Sequence, residues 1–173
     1  IENNIFYIYN LSTVLKLSKG KNMVDVEPLK GLKYNIEKIN NISEVLAPPY
    51  DIISNIQDEQ LKNANPFNFS FLTLPLSTDK NNKYQNANDI LKRWIDERIL
   101  VFENDECFYL IEEIFSEDNN EKSFFGLAGL LKIEEYGKGK VLRHEKTLPK
   151  PKEDRLSLLN TCRTNFEFIY TLY

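Results

Sequence analysis

Two periods of hydrophobic and polar positions run along this chain, and each predicts a different element. In "ANDILKRWIDERIL" the apolar residues Ala87, Ile90, Leu91, Trp94 and Ile95 recur at intervals of three and four. That is the spacing of a helix with one buried face. "KEDRLSLLNTCR" repeats the pattern with Leu156, Leu159 and Cys162, which places a second helix from about Lys152. Ser54 followed by Gln57 has capping-box spacing and predicts a third, short helix from about Asn55 to Ala64, closed by Asn65-Pro66.

Elsewhere the period is two or the run is continuously apolar. "FNFSFLTLPL", residues 67–76, alternates large apolar with smaller positions and predicts a strand. "CFYLIEEIF" and "SFFGLAGLLKI" predict an antiparallel hairpin across the polar loop "SEDNNEK", with Gly126 and Gly129 leaving gaps where another backbone can approach. Short extended pieces are expected at Val26 to Lys33 and around Val141 to His144, and a terminal apolar strand in "NFEFIYTLY". Together these elements predict an α+β fold, with a mixed, largely antiparallel sheet and about three helices packed on it. The terminal strand needs a partner to cover it, so residues 23–173 read as one domain forming the N-terminal part of a longer protein. Residues 1–22 read as an extension outside the fold, with Met23 as a natural start.

Composition narrows the functional classes. The chain has 173 residues, 42% hydrophobic and 28% charged, which suits a folded domain rather than a disordered one. Its net charge of −4 removes the general attraction for a polyanion, so nucleic acid is not expected as a partner. No run approaches the ~18 consecutive apolar residues of a membrane span, and no secretory leader is evident, so a membrane is not expected as a partner either. Cys107 and Cys162 lie far apart with no metal-ligand spacing between them, and we expect reduced thiols, a cytoplasmic protein and no protein-bound metal.

Candidate chemistry gathers in two places. The only histidine, His144, stands in "VLRHEKTLPKPKEDR" with Glu145, Arg143, Lys146, Thr147 and Arg155, just ahead of the predicted helix. A histidine and a carboxylate can move a proton, basic side chains can bind phosphate, and a helix start adds free N–H groups. The competing reading is a strand-end histidine with a solvated basic rim, since adjacent strand residues point to opposite faces. In "LAPPYDIIS", Pro48 and Pro49 stiffen a loop that carries Tyr50 and Asp51. It is either a platform for a carboxylate or a tight turn. "GLAGLL" lacks the glycine spacing of a nucleotide loop and reads as a core strand.

The stretches "LAPPYDIIS", "NPFNFSFLTLP", "LKRWIDERILV" and "GLAGLLKIEEYGKGKVLRHEKTLPKPKEDRLSLLN" occur in an order that resembles the bacterial and archaeal family called domain of unknown function 1015. The resemblance runs from about Val26 to Tyr173. Members of that family are usually longer and carry an Asp-Gly-His-His-Arg stretch in their second half, similar to one in ParB and sulfiredoxin-like free-serine kinases. This sequence lacks that stretch. What the resemblance implies is a nucleotide-dependent phosphotransferase acting on a small hydroxylated metabolite such as serine, with ATP or ADP and Mg²⁺ as donor. The matched positions are Pro48, Pro49, Tyr50 and Asp51 in one motif and His144, Glu145, Thr147, Asp154 and Arg155 in the other. His144, Glu145 and Asp51 are then the catalytic candidates, Arg143, Lys146, Thr147 and Arg155 the phosphate ligands, and Pro49 and Tyr50 the substrate contacts. The isolated half is expected to be inactive without its C-terminal partner. The alternative is a non-catalytic nucleotide or phosphometabolite-binding regulatory module.

Overall fold

The predicted hairpin is present. In the computed structural model, which describes residues 5–11, 24–76, 80–135, 137–142 and 149–171, β5 (Phe108–Glu117) pairs antiparallel with β6 (Asn120–Ala128). The connection is tighter than the seven polar residues suggest. Glu117 pairs with Asn120, so only Asp118 and Asn119 turn the chain, and both have positive φ, 51° and 61°. Two left-handed residues in a two-residue loop twist with the strands, and Asp and Asn tolerate that conformation better than most side chains.

Backbone contacts divide the chain into two units, Ile1–Gly31 with Phe102–Glu145 and Leu32–Val101 with Lys146–Tyr173. In the first unit β1 (Ile5–Leu11) adds to the hairpin, giving an antiparallel sheet ordered β1-β5-β6. Part of the leading segment is therefore paired in the sheet. β2 (Val26–Glu27) pairs with β7 (Leu130–Leu131) as a second small sheet. Gly129 is the close approach foreseen for it: a Cβ there would come within 2.9 Å of the Glu27 carbonyl oxygen and of the Phe108 ring. Gly126 lies in open space by comparison, with its nearest contact at 3.9 Å.

The second unit holds the helices. β3 (Leu32–Tyr34) runs beside β4 (Leu100–Phe102), so where the sequence predicts a single sheet, the described residues form three small ones. α1 (Asn55–Ala64) starts at Ser54, whose hydroxyl accepts the Gln57 N–H while the Gln57 side chain accepts the Ser54 N–H. This is the predicted capping box, at the predicted bounds. α3 (Lys80–Asp96) buries Ala87, Leu91 and Trp94 along one face, in a core with Ile39, Val45, Leu72, Ile99, Leu100, Leu158 and Cys162. The Trp94 ring lies 6.0 Å from Phe67 and 6.3 Å from Tyr34. Among the described residues there are four α-helices, and none is long and apolar enough to cross a membrane.

Three local expectations are corrected. Residues 67–76 form no strand; they contain the one-turn helix α2 (Ser70–Thr73). The cause is Asn68, which is fully buried: its Oδ1 accepts the Ser70 N–H at 3.1 Å, and its Nδ2 donates to the Glu44 and Leu46 carbonyls. These bonds satisfy the local backbone without a strand ladder. Phe166–Thr171 also lacks strand structure, and Phe166 instead meets Phe69 edge-on at 5.9 Å. Val141 and Leu142 are not in a strand, while the rest of that segment, residues 143–148, lies outside the described residues.

The last helix, α4 (Pro149–Cys162), begins three residues earlier than expected, with Pro149 and Pro151 in its first turn, where a missing N–H costs nothing. Its buried face is also rotated from the one expected. Leu158 and Cys162 are buried, whereas Leu156 is 52% exposed and Leu159 38%.

Candidate active site

The core face of α4 changes character toward its N-terminus. Leu158 and Cys162 are apolar and buried, but one turn earlier the same face carries Asp154. α3 does the same: Lys83 and Tyr84 stand one turn before Ala87 on the face that continues to Leu91 and Trp94. Because α3 packs on α4, the two polar ends meet. A charge placed there has lost part of its hydration and must be matched by the opposite helix.

It is matched through one carboxylate. Asp154 Oδ1 accepts from Lys83 Nζ at 2.5 Å and from the Tyr84 hydroxyl at 2.8 Å. Asp154 Oδ2 accepts from Arg155 Nε at 3.1 Å and Nη2 at 2.5 Å. Burial by itself raises this carboxyl, yet the bonds from Lys83, Arg155 and Tyr84 outweigh it and hold Asp154 at about 2. Reciprocally, burial is the largest single influence on the Lys83 ammonium and lowers it, but the bond and charge of Asp154, together with Tyr84, outweigh it and leave Lys83 raised. Lys83 also lies 4.6 Å from the centroid of the Tyr84 ring.

Arg155 then reaches the proline loop. Its guanidinium carbon is 3.9 Å from the centroid of the Tyr50 ring. Pro48 and Pro49 limit the backbone there, and a turn closes with the Ile52 N–H donating to the Pro49 carbonyl at 3.2 Å. Glu167, in the segment after α4, lies near enough to the loop for the Tyr50 N–H and Asp51 to act on its carboxyl. Glu167 is raised from its usual range by partial burial, with Arg155 and the Tyr50 N–H opposing and the neighbouring Asp51 adding to the rise. Burial likewise raises the Tyr50 phenol, against Arg155. Arg155 Nη1 is buried and has no hydrogen-bond partner among the described residues. A charged donor left without an acceptor is costly, and such a group asks for an explanation.

Two motifs far apart in sequence therefore converge: Tyr50 with Asp51 from one, Asp154 with Arg155 from the other. Pro49 contributes its carbonyl to the turn. Arg143, His144, Glu145, Lys146 and Thr147 lie outside the described residues. The sequence reading did not include Lys83, Tyr84 or Glu167, and it gave Asp154 no role. For the first two a signal existed, since both sit one turn before Ala87 on the buried stripe. Glu167 had none, because its segment read as a strand. Among the described residues no group of three or more His, Cys, Asp or Glu side chains is placed to hold a metal ion. Both cysteines are buried free thiols, and burial raises that of Cys162.

An α+β protein with an arginine held between a tyrosine ring and an aspartate is the class that fold and site define. Within it, the chain belongs to the family described as protein of unknown function (DUF1015), whose model matches residues 26–173. No curated protein and no solved structure matches the chain.

Proposed function

We propose that the protein is a nucleotide-dependent phosphotransferase acting on a small hydroxylated metabolite such as serine, and that the second unit supplies its oxyanion clamp. The observation that carries this reading is Arg155: fixed by Asp154, covered by Tyr50, and left with an unpartnered buried Nη1 that an arriving phosphoryl or carboxylate oxygen would satisfy. Asp51, exposed and next to Tyr50, is the described carboxylate best placed to accept a proton from a substrate hydroxyl. Asp154 cannot share that work, because four donors occupy it. From the sequence, His144 and Glu145 join the proton transfer and Arg143, Lys146 and Thr147 the phosphates.

The donor would be ATP or ADP with Mg²⁺, whose own chemistry is to neutralise the transferring group. The family resemblance read from the sequence suggests this donor class, though the kinase-like stretch itself is absent from this chain, and buried free thiols agree with a reducing, prokaryotic cytoplasm.

A second reading, a regulatory module that binds a nucleotide or phosphometabolite without catalysis, draws on the same clamp. It is favoured by the fact that the described residues provide an anion ligand more fully than a base. Glu145→Gln and Asp51→Asn in the full-length protein separate the two. A catalyst loses turnover while keeping most of its binding, whereas a module has no turnover to lose.

A further inference from the structure

We propose that Lys83 and Tyr84 are positioning residues for Arg155, acting through Asp154, so that α3 sets the direction from which the α4 guanidinium meets its oxyanion. This rests on the oxyanion-clamp reading above. A carboxylate has about four lone-pair sites, and Asp154 fills four with Lys83 Nζ, the Tyr84 hydroxyl, Arg155 Nε and Arg155 Nη2. No capacity remains for a ligand, so Asp154 acts on one only by way of Arg155.

Arg155 needs such an anchor. Neighbouring residues on a helix do not face each other, and the guanidinium must curl back along its own stem to reach the preceding carboxylate. A long, flexible side chain in that posture swings away unless the carboxylate stays still. The two donors from α3 hold the other oxygen, and α3 itself is immobilised one turn further on, where Ala87, Leu91 and Trp94 enter the core. The chain of restraint therefore runs from the core through α3 to Asp154, then to Arg155, and ends against the Tyr50 ring.

Tyr84 is the informative position, because removing its hydroxyl deletes one bond to Asp154 and leaves every charge in place. In a calorimetric titration of the full chain with inorganic phosphate, Tyr84→Phe is expected to weaken binding about five-fold, the equivalent of one net hydrogen bond. In the same variant the Arg155 Nε–H proton should exchange with solvent faster, a signature that a general loss of packing elsewhere does not produce. Lys83→Arg should retain more affinity than Lys83→Met. Unchanged phosphate affinity in Tyr84→Phe, or an unchanged Arg155 Nε–H exchange rate, overturns the positioning role. If Arg155→Gln itself leaves phosphate binding intact, the clamp reading fails and takes this inference with it. If Arg155→Gln weakens binding and Tyr84→Phe does not, the clamp stands and only the positioning role is lost.

Discussion

Arg155 and Tyr50, more than one hundred positions apart in sequence, meet with the guanidinium carbon 3.9 Å from the ring centroid. The contact joins a proline-stiffened loop to the first half of α4, and it is partly shielded from solvent. At that degree of shielding a cation–π contact contributes about 1 kcal/mol. Tyr50→Ala should therefore lower the unfolding free energy by about that amount in a denaturant titration. Tyr50→Phe, which keeps the ring face, should cost far less; equal losses in the two variants would mean that the hydroxyl matters and the ring does not.

Asp154 answers to two cations, so its loss should exceed that of an ordinary surface charge. Asp154→Ala strands Lys83 and Arg155 near each other without their shared partner, and for a partly exposed site we expect a cost of about 2 kcal/mol. Thermal unfolding at neutral pH measures it. A change within about 0.5 kcal/mol would show that the network seen here contributes nothing to stability.

The same residue gives a pH dependence with a definite sign. Asp154 is held at about 2 in the folded protein against a usual value of 3.8, so its folded carboxyl is depressed. Stability from a depressed carboxyl is fully present above the unfolded value and is lost as pH falls through the folded one. The stability gap between the protein and Asp154→Asn should accordingly be constant above about pH 4 and shrink by about 1 kcal/mol toward pH 2. Paired denaturant titrations across that window test it, and a gap that widens on acidification would refute the assignment.

Two local devices can be tested away from the site. Ser54→Ala removes the cap of α1 and should cost about 1 kcal/mol. At the hairpin, Asn119 has φ 61°, and Asn119→Gly removes a side chain from a left-handed position. That change should stabilise the protein by about 0.5 kcal/mol, read as a higher denaturant midpoint.

How much of this could be read in the sequence depended on whether a local signal and a tertiary demand agreed. The Ser54–Gln57 box and the Ala87–Leu91–Trp94 stripe were legible because each is a short-range pattern that the core also requires. Phe67–Leu76 misled because its alternation fits a strand, while a buried Asn68 satisfies the neighbouring backbone through bonds to Glu44 and Leu46 more than twenty residues away. On α4 the spacing Leu156–Leu159–Cys162 matched a helix, but of the three only Cys162 is buried, since the contact with α3 turns Leu158 rather than Leu156 and Leu159 into the core. Tyr50, Asp51 and Arg155 were singled out by motif chemistry, and the fold brings the Arg155 guanidinium onto the Tyr50 ring. Lys83 and Tyr84 were not: their place one turn before Ala87 marks them as facing the core side, but nothing in "NNKYQNAND" says that an aspartate from seventy residues further on will need two donors.

The central claim is that Arg155 holds an oxyanion during phosphoryl transfer. It is tested most directly by incubating full-length protein with ATP or ADP, Mg²⁺ and a panel of small hydroxylated metabolites, and following nucleotide turnover in the protein and in Arg155→Gln. Turnover is expected with at least one pair, together with a loss of tenfold or more in kcat/KM in the variant, the effect of one charge-assisted hydrogen bond of about 1.5–3 kcal/mol. An absence of turnover with every pair, or an unchanged kcat/KM in Arg155→Gln, would contradict it.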